Sequence, residues 1–391
     1  MRHYLDHAAT TPLRPEARAA WLTASETIGN ASSTHGSGQD ARRLLEESRE
    51  RVAAVLDAEP IEIVFTSGGT ESINLALQGL WHARRDGAAA VVLPDGEHHA
   101  TMDTVSALVA AGADIRTVPL SPLARIEPSA FAAQLPGAAV ATALIANNEA
   151  GTINDAAAIA GASASAEVPL HLDAVAALGH VPLSFRALRG GAAPGVGLVA
   201  MSLAGHKIAA PVGIGVLVAA RTARLSALLH GGGQQRGLRA GTQDIAGAAA
   251  FATALELAES ERETEDVRLT VLRDRLVRGI RSAVPTAELL GDPERRLPGN
   301  AHVLFPDAVG ESLLFLLDVA GVSASTGSAC QAGVAEPSHV VMAMGRSERD
   351  ARSVLRFSLG RTSDEADVDA VLSVIGDAYA RASGAGTGAR S

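Results

Sequence analysis

The sequence predicts an α/β fold in which a mostly parallel sheet is covered by helices on both faces. Short apolar stretches alternate with longer amphipathic ones through the first half of the chain, as strands joined by crossover helices require. At 391 residues the chain exceeds one typical core, so we expect two domains. Only 3% of the residues are aromatic, so alanine, valine and leucine must fill the interior.

The individual elements follow from their periodicity. Helical patterns are predicted over 15–22, 40–56, 73–82, 98–111, 131–135 and 244–283. Buried strands are predicted over 61–65, 91–93, 114–118, 140–146, 170–173 and 198–203, and a further apolar run covers 208–218. Glycine-rich loops are predicted over 190–197 and 231–237.

These elements divide into domains. Residues 16–260 are predicted to form the large domain, and residues 261–284 a connecting helix whose many acid–base pairs face solvent. Residues 285–382, together with the N-terminal segment 1–15, are predicted to form a smaller α+β domain. The low-complexity tail 383–391 is predicted to be disordered.

The charge distribution excludes several functional classes. The net charge is −10 and no long basic cluster is present, so nucleic-acid binding by a charged face is not expected. No stretch reaches the roughly 18 apolar residues of a membrane span, and the N-terminus does not resemble a signal peptide. We therefore expect a cytoplasmic protein that binds no membrane.

Lys207 is the only lysine of the chain, and the other 32 of its 33 Lys and Arg residues are arginine. Arginine supplies positive charge but cannot act as an amine nucleophile, whereas a desolvated lysine can lose its proton and attack an aldehyde. On composition alone, a chance surface lysine is an equal alternative. The apolar runs on both sides of Lys207 favour an amine placed at the end of a buried strand.

Two further stretches carry chemistry. The turn TSGGTES at 66–72 lies between a predicted strand and a helix, which is typical of a phosphate site at a helix N-terminus.

Cys330 is the only cysteine, so no intrachain disulfide or cysteine-based metal cluster can form, and no metal is expected. Its neighbours in STGSACQAG, 325–333, are small, which favours a reactive thiol over an inert core residue.

Together these motifs resemble the cysteine desulfurases, a branch of the class-V aminotransferases within the fold-type I pyridoxal phosphate (PLP) enzymes. The resemblance runs in the family's order from LDHAATT at 5–11, through EHH at 97–99, NNEAG at 147–151, HLD at 171–173 and SLAGHK at 202–207, to LRFSLGR at 355–361. The loop around Cys330 resembles the subgroup with a Ser-Gly-Ser-Ala-Cys signature. The resemblance to this family implies a large domain with a seven-stranded type of sheet.

The resemblance implies PLP as the cofactor and assigns residues around it. Lys207 would bond to its aldehyde, Asp173 would pair with the pyridine nitrogen, and His98 would stack on the ring. His99, next to His98, remains open for that last role. Asn148 would meet the phenolic oxygen or the substrate.

The phosphate would lie against four residues, namely Gly69, Thr70, His206 and a threonine of the neighbouring subunit that is matched here by Thr242. A homodimer is thereby implied. Arg356 would bind the carboxylate of L-cysteine through its guanidinium fork. The reaction would release L-alanine and leave the sulfur on Cys330 as a persulfide for an acceptor protein, in Fe–S assembly or in a dedicated thiolation pathway.

Three positions depart from the family pattern. Ala176 replaces a glutamine that bonds to the PLP phenolate, Ala204 replaces a phosphate-binding serine, and Gln235 stands where glutamate is common. Losing one neutral hydrogen bond costs about 1 kcal/mol, so cofactor binding should weaken without being lost. These departures indicate a specialised desulfurase or a changed substrate.

Two alternatives remain at this point. A different PLP reaction on the same fold, such as an aminotransferase, epimerase or lyase reaction, would not need Cys330. A weakly active scaffold protein would not need Lys207, Asp173, His98, Cys330 and Arg356 together.

Overall fold

The structure is a computed structural model that describes residues 2–327, 330–331 and 334–387. Its helices α1 to α12 are Pro15–Ser25, Gly36–Val55, Gly69–His82, His99–Val109, Pro128–Gln134, Ala156–Ser165, Phe185–Arg189, Ile245–Ala283, Gly310–Val319, His339–Ala343, Glu348–Ala351 and Glu365–Thr387. Its strands β1 to β14 are His3–Tyr4, Ile63–Thr66, Ala90–Pro94, Asp114–Val118, Ala138–Leu144, Pro169–Asp173, Gly197–Ala204, Gly215–Ala219, Glu288–Leu289, Asn300–Leu304, Val322–Ser323, Cys330–Gln331, Val334–Ala335 and Val354–Ser358. None of the described helices is both long and apolar enough to cross a membrane.

A seven-stranded sheet forms the centre of the molecule, in the order β2-β8-β7-β6-β5-β3-β4. Strand β8 is antiparallel to both of its neighbours, and the remaining pairs are parallel. Strands β5, β7 and β8 are buried along their whole length, as expected for a sheet covered on both faces. The predicted α/β fold and its seven-stranded type of sheet are confirmed.

The topology collects the carboxyl ends of six strands at one edge of this sheet. Because β8 is antiparallel to both β2 and β7, β2 points in the same direction as β7, β6, β5, β3 and β4. Their carboxyl ends therefore meet at one edge, which is where open α/β sheets bind ligands.

A second apolar cluster lies around a three-stranded antiparallel sheet of order β14-β10-β9. It includes Leu5 from the N-terminal segment, Leu276 from the second half of α8, and Val371 from α12. Strand β1 pairs in parallel with β11, which ties the N-terminal segment to this part of the chain. Strand β14, which carries Arg356, is thereby held close to the carboxyl edge of the large sheet, with an isolated bridge between Asp6 and Ser358.

The structure corrects several predicted elements. Helices α6 and α7 were not predicted, since AAAIAGASAS in α6 has no polar face that would show a helical period. The apolar run 208–218 forms a strand only from Gly215, because Ala209 and Gly213 before it adopt positive φ values of 64° and 92°. Helix α12 continues to Thr387, into the tail predicted to be disordered from residue 383; residues 388–391 lie outside the described part of the chain.

Candidate active site

A cavity of about 500 Å³ opens at the carboxyl edge of the large sheet. This volume is in the range of small-molecule and cofactor sites. The residues singled out from the sequence that line it are Gly69, Thr70, His98, His99, Asn148, Asp173, His206, Lys207 and Arg356. Ala176 and Ala204 line it as well.

Lys207 ends a 3₁₀ turn that follows directly on β7. Its ammonium group donates hydrogen bonds to the carbonyl oxygens of Ala8 and of Ala9, the latter at 3.0 Å. Burial, with a contribution from the positive charge of Arg356, lowers the pKa of Lys207 to about 8. A substantial fraction of this amine is therefore neutral near physiological pH, as a nucleophile or base requires.

The lowered pKa of Lys207 predicts unusual reactivity of the cofactor-free protein. An amine-selective acylating reagent should modify Lys207 with a rate that rises with pH and has its midpoint near pH 8, because only the neutral amine reacts. Peptide mass spectrometry separates this site from the N-terminal amine, and free lysine serves as the reference. A midpoint near the ordinary lysine value of 10.5 would contradict the buried position.

Asp173 ends β6 and is 2% exposed. Its Oδ1 accepts a hydrogen bond from the backbone N–H of Val175 at 2.8 Å. Burial raises its pKa to about 6, although that hydrogen bond and the charge of Lys207 oppose the shift. A buried carboxylate at this position suits a protonated ring nitrogen, because the ligand's positive charge would compensate its desolvation.

The N-terminus of α3 forms the next wall of the cavity. A side chain at Gly69 would place its Cβ 2.8 Å from Cγ2 of Val175, so only glycine lets the helix start this close to β6. The Cβ of Ala204, at the end of β7, lies 3.4 Å from the same Cβ position. The first-turn N–H groups at Gly69 and Thr70, with the positive end of the helix dipole, suit a phosphate.

His206 and His98 face the cavity from two sides. Nδ1 of His206 lies 3.3 Å from the hydroxyl of Thr10, and burial, together with Lys207, lowers its pKa to about 4. His98 caps α4 by accepting a hydrogen bond from Ala100 N–H at Nδ1, at 3.0 Å. Desolvation by the surrounding protein, followed by the charge of Lys207, lowers its pKa to about 4 as well. Both imidazoles are therefore neutral at pH 7.

Arg356 of β14 and Asn148, which follows β5 of the large sheet, form a further wall of the cavity. The guanidinium of Arg356 donates to Oδ1 of Asp6 at 2.9 Å and to the carbonyl oxygen of Asn148 at 3.0 Å. Its Nε has no hydrogen-bond partner among the described residues, even though Arg356 is buried, with only 4% of the residue exposed. A ligand carboxylate in the cavity would supply that missing acceptor.

The structure does not test the roles expected of two singled-out residues, Thr242 and Cys330. Thr242 is exposed and lies away from the cavity of its own chain. The backbone of Cys330 pairs with Ala335 between β12 and β13, but its side chain lies outside what the structure describes. Their roles stay predictions. Within the described residues, no group of three or more His, Cys, Asp or Glu side chains is arranged to hold a metal ion.

Sequence reasoning missed the contacts that hold both ends of the Cys330 segment. At one end, the backbones of Ser325 and Arg356 exchange hydrogen bonds of 3.1 and 2.6 Å. At the other end, the hydroxyl of Ser338 donates to the carboxylate of Glu149, which is 1% exposed. The position of Glu149 in the NNEAG motif was the available signal, but its partner lies 189 residues away.

His339 was also missed. Its ring packs edge-on against His99 at 4.9 Å between centroids, and its Nδ1 lies 3.9 Å from the carboxylate of Glu149. Both histidines line the cavity, but the ring of His99 packs against His339, whereas His98 caps the helix and is close enough to Lys207 for that charge to lower its pKa. This arrangement favours His98 over His99 as the residue that stacks on a ring.

The residues present fit PLP. A glycine cradle at a helix N-terminus suits its phosphate, the buried Asp173 suits its pyridine nitrogen, and the amine of Lys207 suits its aldehyde. The cavity is large enough for the cofactor together with an amino acid.

Comparison with known families and curated proteins gives a consistent result. The family model "Aminotransferase class-V" matches residues 3–371. The chain is 46% identical over 387 residues to an IscS-like cysteine desulfurase of Mycobacterium tuberculosis, covering 97% of this chain and 96% of that protein. It is 37% identical to the cysteine desulfurase IscS of Methanosarcina thermophila, covering 95% of this chain and 90% of that one.

Solved structures agree with this result. A NifS-like protein superposes with a TM-score of 0.89 at 30% identity, covering 97% of this chain and all of that one. The structure of SspA in complex with cysteine superposes with a TM-score of 0.79 at 28% identity, covering 92% of this chain and 99% of the other. DndA from Streptomyces lividans gives a TM-score of 0.76 at 32% identity, covering 90% and 97% respectively.

Proposed function

The chain belongs to the class-V aminotransferase family, and we propose that it is a PLP-dependent cysteine desulfurase that converts L-cysteine to L-alanine and passes the sulfur on. The observation that carries this proposal is the lone lysine, half-buried at a strand end beside Asp173 and in one cavity with Arg356. The relatives named as cysteine desulfurases and the single cysteine support this reaction over the others of the family.

The described residues divide the chemistry among themselves. When bound, PLP withdraws electrons from the α-carbon of an amino acid attached to it. Asp173 would accept the N–H of the protonated pyridine nitrogen, and Arg356 would bind the substrate carboxylate. Lys207, once its amine is released, is placed to remove the α-proton, and the neutral His98 can accept or return a proton beside it.

The sulfur transfer is proposed for Cys330. Its thiolate attacks the sulfur of the substrate, an S–S bond forms as the C–S bond breaks, and the electron pair of the broken bond remains on carbon. Protonation of that carbon, together with return of a proton to the α-carbon, gives L-alanine. The persulfide on Cys330 is then transferred to an acceptor protein or a small thiol, in Fe–S assembly or in a dedicated thiolation pathway.

We also propose a homodimer in which Thr242 of one protomer completes the phosphate site of the other. The exposure of Thr242, away from the cavity of its own chain, supports this arrangement. Apolar side chains of α1 are exposed as well, Trp21 at 40% and Leu22 at 47%, which suits a surface that a second copy covers.

A product assay tests the proposed reaction. Purified protein supplied with PLP, L-cysteine and a thiol reductant should form alanine and sulfide in equal amounts. L-alanine and L-serine, which lack the sulfur atom, are the control substrates. Formation of a keto acid instead of alanine would point to transamination and would contradict the proposal.

Replacement of Arg356 should separate substrate binding from cofactor binding. Arg356→Lys keeps one positive charge but loses the planar fork, so KM for L-cysteine should rise roughly 10- to 100-fold while the bound cofactor keeps its colour. Steady-state kinetics and absorbance check this. Arg352→Lys, an exposed site paired with Glu348 at 2.9 Å, is the matched control and should behave like the wild type. An unchanged KM in Arg356→Lys would place the carboxylate elsewhere.

Restoring a hydroxyl at position 204 should tighten cofactor binding. Ala204 is 1% exposed and lies against Gly69, so the hydroxyl of Ala204→Ser would face the first turn of α3. One added hydrogen bond is worth about 0.5–1.5 kcal/mol, which corresponds to a roughly 2- to 10-fold lower Kd for PLP. Equilibrium dialysis measures this. Ala204→Cys is the control, because its side chain has a similar size but forms only weak hydrogen bonds. Equal PLP affinity of the two variants would show that the hydrogen bond is not the cause of any tighter binding.

A further inference from the structure

A carboxylic acid that none of the roles above uses lies at the carboxyl edge of the sheet. Glu97 immediately precedes His98 and is 0% exposed. Its Oε1 accepts a hydrogen bond from the backbone N–H of Leu144 at 2.8 Å, just past the end of the pairing between β3 and β5. Its Oε2 has no hydrogen-bond partner among the described residues.

The sheet register relates Glu97 to Asp173. Leu144, whose N–H is bound by Glu97, is the residue of β5 that pairs with Asp173 of β6. The next residue, Ile145, donates its N–H to the carbonyl oxygen of Asp173 at 2.9 Å. The carboxyl group of Glu97, which is hydrogen-bonded to the end of β5, therefore lies at the level of Asp173 on the adjacent strand β6.

Asp173 and Glu97 differ in the charged groups that surround them. Lys207 acts on Asp173, but no lysine or arginine of the described chain forms an ion pair with Glu97. His339 reaches only the backbone oxygen of Glu97, at 2.9 Å from Nε2. A buried carboxylate without a cation or a second donor is strongly disfavoured, and a second nearby carboxylate disfavours it further.

The direction of the pKa shifts agrees with this geometry. Burial, followed by the proximity of Asp173, raises the pKa of Glu97 well above its ordinary value. The pKa of Asp173 is raised only to about 6, because the Val175 N–H and Lys207 favour its charged form. Both shifts therefore favour ionisation of Asp173 over ionisation of Glu97.

We propose that Glu97 is a neutral, protonated acid at physiological pH and acts as a positioning residue that leaves the single negative charge of the pair on Asp173. The consequence for the ring nitrogen rests on the proposed function; the protonation of Glu97 does not. When protonated, Glu97 has an O–H donor at Oε2 and carries no charge. When ionised, it would be an uncompensated buried charge.

Infrared spectroscopy at pH 7.5 tests the protonation directly. The wild-type protein, with or without PLP, should show a protonated-carboxyl C=O stretch that shifts in D₂O and on labelling with ¹³C-glutamate. The band should be lost in Glu97→Gln and retained in Asp173→Asn. A wild-type spectrum in which ¹³C-glutamate shifts no such band would overturn the proposal, and that measurement needs no variant to fold.

Cofactor affinity supplies the second measurement. Glu97→Gln keeps an oxygen for the Leu144 N–H and is neutral like the proposed acid, so Kd for PLP should stay within about threefold of the wild type. Glu97→Ala leaves that N–H without its acceptor, and Kd should rise roughly tenfold. A large loss of affinity in Glu97→Gln would show that Glu97 acts as a charged group. If the protein did not bind PLP at all, the proposed function would be rejected. The infrared result would still decide whether Glu97 is protonated.

Discussion

A Lys207→Ala variant is expected to lose the yellow colour of the bound cofactor and to lose cysteine turnover by roughly four orders of magnitude, the upper range for removal of a general base. The physical reason is that no other lysine exists in the chain, and that 32 arginines cannot supply a neutral amine at pH 7. Absorbance of the purified protein and alanine formation measure the two effects. A small amine such as methylamine should restore part of the turnover, because the side-chain space is vacant and the remaining site is intact.

Arg43→Lys is the matched control for this variant. Arg43 is exposed, with its side chain 70% accessible and paired with Asp40 at 3.2 Å, so a lysine there adds an amine outside the cavity. Arg43→Lys alone should keep the wild-type colour and rate, and Lys207→Ala combined with Arg43→Lys should stay inactive. A coloured, active Lys207→Ala protein would show that another group anchors the cofactor and would remove the basis of the proposed mechanism.

The sequence indicated which residues form the site, and the topology explains why those residues meet. Strands alternating with helices require a parallel sheet, and the polar residues that follow β3, β5, β6 and β7 must then gather at its carboxyl edge. His98, Asn148, Asp173 and Lys207 lie there, as the order of motifs suggested.

The long-range contacts could not be predicted in the same way. Glu149 and Ser338, or Glu97 and Leu144, meet only because two separate parts of the chain pack together, and no local period encodes that contact. Glu97 also contradicts the ordinary expectation that a glutamate is exposed, since it is fully buried. Such residues break a local rule, which is where functional sites are expected to be found.

The second large effect is expected at Cys330. Cys330→Ser should bind PLP with unchanged colour but release sulfide at least about 100-fold more slowly, because a serine hydroxyl cannot serve as the thiolate that takes the sulfur. Since the chain has no other cysteine, thiol alkylation of the wild type should reproduce the defect and should have no further effect on the variant. After a single turnover, mass spectrometry of the peptide containing Cys330 should show one added sulfur atom.

The anchoring of both ends of the Cys330 segment makes this prediction sharper. Ser325 is held by Arg356, which we propose binds the substrate carboxylate, and Ser338 is held by Glu149 at the cavity wall. The segment is thus tied to the same wall that would position the substrate. Glu149→Gln removes the charge that Ser338 binds, so sulfur transfer to Cys330 should slow while the PLP colour persists. Sulfide release at the wild-type rate from Cys330→Ser would exclude the persulfide route, and an undiminished rate in Glu149→Gln would show that this anchor does not position the thiol.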